Sequence, residues 1–134
     1  MKIKLLTICL LLTASLANAE VKEINNEEIA KLIKNNVPIV DIRRPSEWSD
    51  TGVIAGSNLL TFFDEKGNYD AKKWLAKFKK SAKKGDPVII ICRSGRRSGI
   101  VAKFLDEQAN YANVYNASGG IVSWINSKNE TVDP

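Results

Sequence analysis

The sequence contains no histidine and only two cysteines, Cys9 and Cys92. Without histidine there is no Ser-His-Asp triad, no Cys-His dyad and no His-ligated metal site, and two cysteines cannot make a four-cysteine zinc site. No internal repeat, low-complexity linker or second-domain boundary divides the chain. The apolar run from Leu5 to Ala17 covers 13 residues, short of the roughly 20 that a membrane-spanning helix needs. What is present is 134 residues, 44% hydrophobic and 26% charged. That is one domain's worth of chain with enough apolar residues for a core.

The first residues have a layout of their own. Met1-Lys2-Ile3-Lys4 is basic, Leu5 to Ala17 is apolar, and Ala17-Asn18-Ala19 is small-x-small. This is the pattern of a secretory signal peptide, with cleavage expected after Ala19. Ile8, not a small residue, precedes Cys9, which argues against a lipoprotein signal. The expected organisation is a cleaved signal over 1–19 and a single domain over 20–134, exported to a bacterial periplasm. No stable membrane insertion is expected after cleavage, and no nucleic-acid partner. Removing 19 of the 134 residues leaves 115, a net charge of +3 and one cysteine. A single thiol in a disulfide-favouring compartment calls for a reason.

The remaining chain alternates strand-like and helix-like segments, the pattern of an α/β fold with a mainly parallel sheet. Val21–Ile24 reads as a short strand. Asn26-Glu27-Glu28 starts a helix with a cap residue and acids in its first turn, with Ile29, Leu32 and Ile33 as its apolar face. Residues 38–42 read as a buried strand, Pro45–Trp48 as one helical turn, and Gly52–Asn58 leads into another short strand. Asp70 caps a helix expected over 71–84, whose apolar positions Ala71, Trp74, Leu75, Phe78 and Ala82 recur at helical spacing. Its other face carries seven lysines and no acid, read as a solvated face rather than a docking patch. Val88-Ile89-Ile90-Ile91 is the most strongly β-branched run and the expected central strand. A helix over about 97–108 should bury Ile100, Val101, Phe104 and Leu105. Asn113–Asn116 gives a last strand, and Gly119-Gly120 leads into a terminal helix with Ile121, Trp124 and Ile125 on its apolar face.

Cys92 stands at the C-terminal end of the central strand, where open parallel sheets place their ligand sites. It opens the loop Cys92-Arg93-Ser94-Gly95-Arg96-Arg97-Ser98 and a helix follows. A tight glycine-containing loop turns backbone N–H groups inward, the helix start adds partial positive charge, and three arginines flank the sulfur. Such surroundings favour a thiolate without a histidine base. A dithiol redox enzyme would need a second cysteine to resolve its mixed disulfide. A cysteine phosphatase places arginine after five intervening residues, whereas Arg97 follows Cys92 after four. A single thiolate that takes sulfane sulfur as a persulfide meets every constraint, and it calls for no cofactor and no metal.

Four segments, in order, resemble a single-domain rhodanese (thiosulfate sulfurtransferase). They are Ile39-Val40-Asp41-Ile42-Arg43 with Pro45 and Glu47-Trp48, then Gly52-Val53-Ile54-Ala55-Gly56-Ser57, then Val88 to Ser98, and Gly119-Gly120 with Trp124. Val53 stands where the family usually has histidine. The resemblance implies a three-layer fold with a central five-stranded parallel sheet flanked by helices, and Cys92 cycling between thiolate and persulfide. It makes the loop a sulfur cradle, with Arg93, Ser94, Gly95, Arg96, Arg97 and Ser98 as substrate-binding candidates and Arg96 foremost. Asp41 and Arg43 become supporting residues that brace the loop, with a structural ion pair between Arg43 and Glu47 preferred over any catalytic role. The implied partners are small sulfur anions, thiosulfate or polysulfide, with cyanide, a thiol or a periplasmic protein as acceptor. A rival reading is a polysulfide-sulfur carrier serving a membrane respiratory enzyme.

Overall fold

The structure, a computed structural model, describes residues 20–134. The expected signal segment 1–19, with Cys9, lies outside the described residues. In chain order the elements are β1 (Lys22–Ile24), α1 (Asn26–Lys34), β2 (Ile39–Asp41), α2 (Pro45–Thr51), β3 (Asn58–Leu59), α3 (Ala71–Phe78), β4 (Val88–Ile91), α4 (Arg96–Glu107), β5 (Val114–Ala117) and α5 (Gly120–Asn126). The five strands form one sheet in the order β1-β5-β4-β2-β3, and every neighbouring pair is parallel.

β4 sits in the centre because its four residues are apolar on both faces, and all four are buried. Strand alternation divides them between two helical layers. Val88 and Ile90 join Trp74 and Phe78 of α3 and Val101 and Leu105 of α4. Ile89 and Ile91 join Ile29 of α1 and Ile121 and Trp124 of α5. The expected three layers are therefore present, and each β4 side chain is matched to one of them.

Four local expectations need correction. The cap of α1 is Asn25, one residue earlier than expected: its side chain accepts the Glu28 N–H at 2.9 Å, and Glu28 accepts the Asn25 N–H at 3.2 Å. Both terminal N–H groups are thereby satisfied. Asn26 instead donates to Ser123 Oγ and Ser127 Oγ, each at 3.0 Å, tying α1 to α5. Asp70 caps α3 as expected, but the helix ends at Phe78 and not near Lys84. Its chain tightens into i+3 bonds at Lys80 and Ser81, where lysines 77, 80 and 84 would otherwise share one helical face and repel. Ile100 is 52% exposed and Ile125 37% exposed. α4 turns Val101, Ala102 and Leu105 to the sheet, so Ile100 falls on the flank of that stripe.

Candidate active site

β4 ends at Ile91, and Cys92 follows at the C-terminal edge of the sheet, keeping the strand's alternation towards the α3–α4 layer. Its side chain is buried among apolar neighbours, yet two polar groups meet the sulfur. The Gly95 N–H donates to Sγ at 3.2 Å, and Ser98 Oγ lies 3.1 Å away. Gly95 is the N-cap of α4, with φ of +96°, so the loop closes under the positive end of a 12-residue helix.

The loop is held tightly from the β5–α5 side. A side chain on Gly95 would run into the Ser118 carbonyl, and one on Gly120, at φ +60°, into the Arg93 carbonyl. The Ile121 N–H donates to the Cys92 carbonyl at 3.0 Å, and the Val122 N–H to that of Arg93 at 3.1 Å. Gly120 thus has a steric cause in the close approach of α5 to the cysteine loop, whereas a side chain on Gly119 would meet Ser123 of α5. Val53, at the position usually histidine in the resembling family, is buried. Its backbone bridges antiparallel to Val132, with N–H···O distances of 2.9 and 2.8 Å.

The three loop arginines have different surroundings. Arg97 makes a two-pronged pair with Glu47, with Nη1–Oε2 at 2.9 Å and Nη2–Oε1 at 2.6 Å. This bond holds the Glu47 carboxyl down at about 2, against opposition from burial and with help from the Arg44 N–H and charge. Arg97 is pushed up in turn, first by Glu47. Arg93 and Arg96 are exposed, and among the described residues neither pairs with a carboxylate. Ser94 is exposed beside them.

The preferred Arg43–Glu47 ion pair is not formed. Arg43 instead grips Asp41, with Nη2–Oδ2 at 2.8 Å and Nε–Oδ1 at 3.0 Å, both residues almost fully buried. Its remaining hydrogens go to Thr51 Oγ1 at 2.8 Å, the Gly52 carbonyl at 3.0 Å and the Glu47 carbonyl, not carboxylate, at 3.2 Å. Asp41 and Arg43 therefore brace α2, and α2 reaches the cysteine loop through Glu47 and Arg97.

An acid titration checks this linkage. Folded Glu47 releases its proton at about 2 rather than at 4.5, so its pair contributes fully above the higher value and fades as pH falls towards the lower. Glu47→Gln should therefore melt below the parent at neutral pH, with the gap closing between those two values. A gap that does not change with pH would contradict the pairing.

Two residues at the site escaped the sequence reading. Asn116 on β5 donates through Nδ2 to the Gly95 carbonyl at 3.1 Å and to the carboxylate of Glu23 on β1 at 2.9 and 3.1 Å. The available signal was an asparagine inside a strand that is otherwise apolar or aromatic, a residue type depleted there.

Comparison with known proteins follows the same lines. Residues 25–127 match the family described as the rhodanese-like domain. The thiosulfate sulfurtransferase GlpE of Pseudoalteromonas translucida (strain TAC 125) is 31% identical over 102 residues, covering 76% of this chain and 86% of the relative. A rhodanese-related protein from Thermoplasma volcanium superposes with a TM-score of 0.64 at 26% identity, covering 84% of this chain and 99% of the other. The polysulfide-sulfur transferase of Wolinella succinogenes shares the fold, with a TM-score of 0.66 at 20% identity, covering 87% of this chain and 82% of the other.

Proposed function

This chain belongs to the rhodanese-like domain family, and we propose that it is a sulfurtransferase carrying sulfane sulfur on Cys92 from an anionic donor to cyanide or a thiol. One observation carries the reading. The Cys92 sulfur is met by the Gly95 N–H and Ser98 Oγ at the head of α4, on a loop with two arginines that no described carboxylate neutralises. Fixed donors aimed at a developing anion cost no reorganisation when the charge arrives.

With thiosulfate as donor, the Cys92 thiolate attacks the sulfane sulfur. A new S–S bond forms on Cys92, the donor's S–S bond breaks, and sulfite leaves with the electron pair. Cyanide or a thiolate acceptor then attacks the terminal sulfur and returns Cys92 as thiolate. Arg93 and Arg96 bind the oxyanion end of the donor, and polysulfide suits the same charges. Gly95 and Ser98 stabilise the sulfur anion, while Arg97, fixed by Glu47, shapes the loop. Cys92 is the one cysteine among the described residues, which favours a persulfide over an internal disulfide. The sulfurtransferase name of the GlpE relative supports thiosulfate. Export to a periplasm is part of the same proposal, supported by the layout of residues 1–19.

A donor and acceptor screen of the protein, with Cys92→Ser as control, tests the activity. Within it, Arg96→Ala should raise the half-saturating thiosulfate concentration about tenfold, as expected for losing one charge-assisted hydrogen bond to an oxyanion. Unchanged half-saturation in both Arg93→Ala and Arg96→Ala would overturn the assignment of donor binding to the loop.

A further inference from the structure

The geometry points to Asn116 as a positioning residue that sets the Gly95 N–H on the Cys92 sulfur, with Glu23 orienting it. This inference rests on the sulfurtransferase reading for its purpose, but its geometry stands apart from it. Asn116 is only 3% exposed, between the central strand and β1. Nδ2 carries two hydrogens, and both have acceptors: the Gly95 carbonyl at 3.1 Å and the Glu23 carboxylate at 2.9 and 3.1 Å. Every acceptor around Nδ2 is an oxygen with no hydrogen to give, so the amide has one workable orientation.

That orientation has a cost. Asn116 Oδ1 is buried and has no hydrogen-bond partner. A strand next to the sheet centre would be better packed with an apolar residue, and an unsatisfied buried oxygen at such a place calls for an explanation. The explanation lies at Gly95, whose N–H meets the sulfur. The Gly95 carbonyl already accepts the Gly99 N–H at 3.1 Å inside α4, so Asn116 is not needed to satisfy it. What Asn116 adds is a second, lateral anchor on Gly95. Gly95 lies at φ +96°, with its N–H 3.2 Å from Sγ. Gly95 is thus held at its carbonyl by Asn116 and walled by Ser118, leaving its N–H aimed at the sulfur. A carboxylate accepting from the other amide hydrogen fixes the amide more firmly than a neutral acceptor would.

Asn116→Val tests this. Valine suits a strand, removes the donor and the orphaned oxygen together, and leaves in place the charged groups of the cysteine loop and of the elements packed on it: Arg93, Arg96 and Arg97 on the loop and α4, Asp41 on β2, Glu47 on α2 and Glu23 on β1. The expected variant melts close to the parent, yet its Cys92 thiolate absorbance in the ultraviolet, followed against pH, emerges at higher pH than the parent's, because the thiolate has lost an aligned N–H donor. That absorbance is read as the difference from Cys92→Ser in the full chain, so that Cys9 cancels. Sulfur loading from saturating thiosulfate should slow about tenfold, roughly one hydrogen bond to a charged group. The half-saturating concentration should stay within about twofold of the parent's, because Asn116 does not touch the donor.

A merely structural asparagine would lower the melting temperature and leave the thiolate signal alone. A pH profile of thiolate absorbance that superposes on the parent's overturns the inference, in Asn116→Val or, if valine does not fold, in Asn116→Ala. A parent that takes no sulfur from any donor would instead contradict the proposed function, while the thiolate signal would still decide the role of Asn116.

Discussion

Arg43→Met should cost about 3–5 kcal/mol of folding stability, the usual penalty for removing one partner of a buried ion pair. Asp41 and Arg43 are 0% and 1% exposed, so the loss leaves a carboxylate in the sheet with no cation beside it. The Asp41 carboxylate also accepts the Arg43 backbone N–H at 3.1 Å, which alone cannot replace a guanidinium. The same substitution strips hydrogen bonds from Thr51 and from the Gly52 carbonyl, loosening the end of α2. Urea denaturation of the variant against the parent reads this directly. The double variant Asp41→Leu/Arg43→Met should recover much of the loss, because no unpaired charge then remains. A single variant within about 1 kcal/mol of the parent would mean that solvent reaches Asp41 and the pair is worth no more than a surface one.

Cys92→Ser should abolish thiosulfate:cyanide sulfur transfer, leaving the rate of the uncatalysed reaction, while the fold persists. The hydroxyl is small enough for the buried site, and Gly95 and Ser98 can hydrogen-bond to it as they do to Sγ. It is nevertheless a far weaker nucleophile than a thiolate and cannot hold sulfur in exchangeable form. Steady-state thiocyanate production with matched melting curves separates chemical loss from unfolding. Cys9→Ser should leave the rate unchanged. Activity retained in Cys92→Ser would contradict the mechanism.

Much of this was legible before the structure, where the controlling physics is local. The β-branched run at residues 88–91 admits little but a buried strand, and Asp70 before an amphipathic run announces its cap. The cysteine loop was readable because glycine and three arginines make poor core. Ion-pair choice was not readable. Arg43 and Glu47 are four residues apart and look like partners, but Glu47 pairs instead with Arg97, 50 positions along the chain. Parallel pairing of β2 with β4 puts Asp41 beside Ile91, and only then is it apparent that Arg43 is needed for Asp41. Asn116 was missed for the same reason, since its two acceptors lie on β1 and at the start of α4. The exposure of Ile100 depends on which face α4 turns to the sheet, a choice that periodicity alone leaves open by a residue.

The claim that sulfur travels on Cys92 is tested most directly by mass spectrometry of the protein after treatment with thiosulfate and removal of excess donor. The account predicts a gain of one sulfur atom, mapped by peptide analysis to Cys92 and discharged by cyanide with release of thiocyanate. No mass gain with any sulfane donor, or a gain mapped to Cys9 alone, would contradict it.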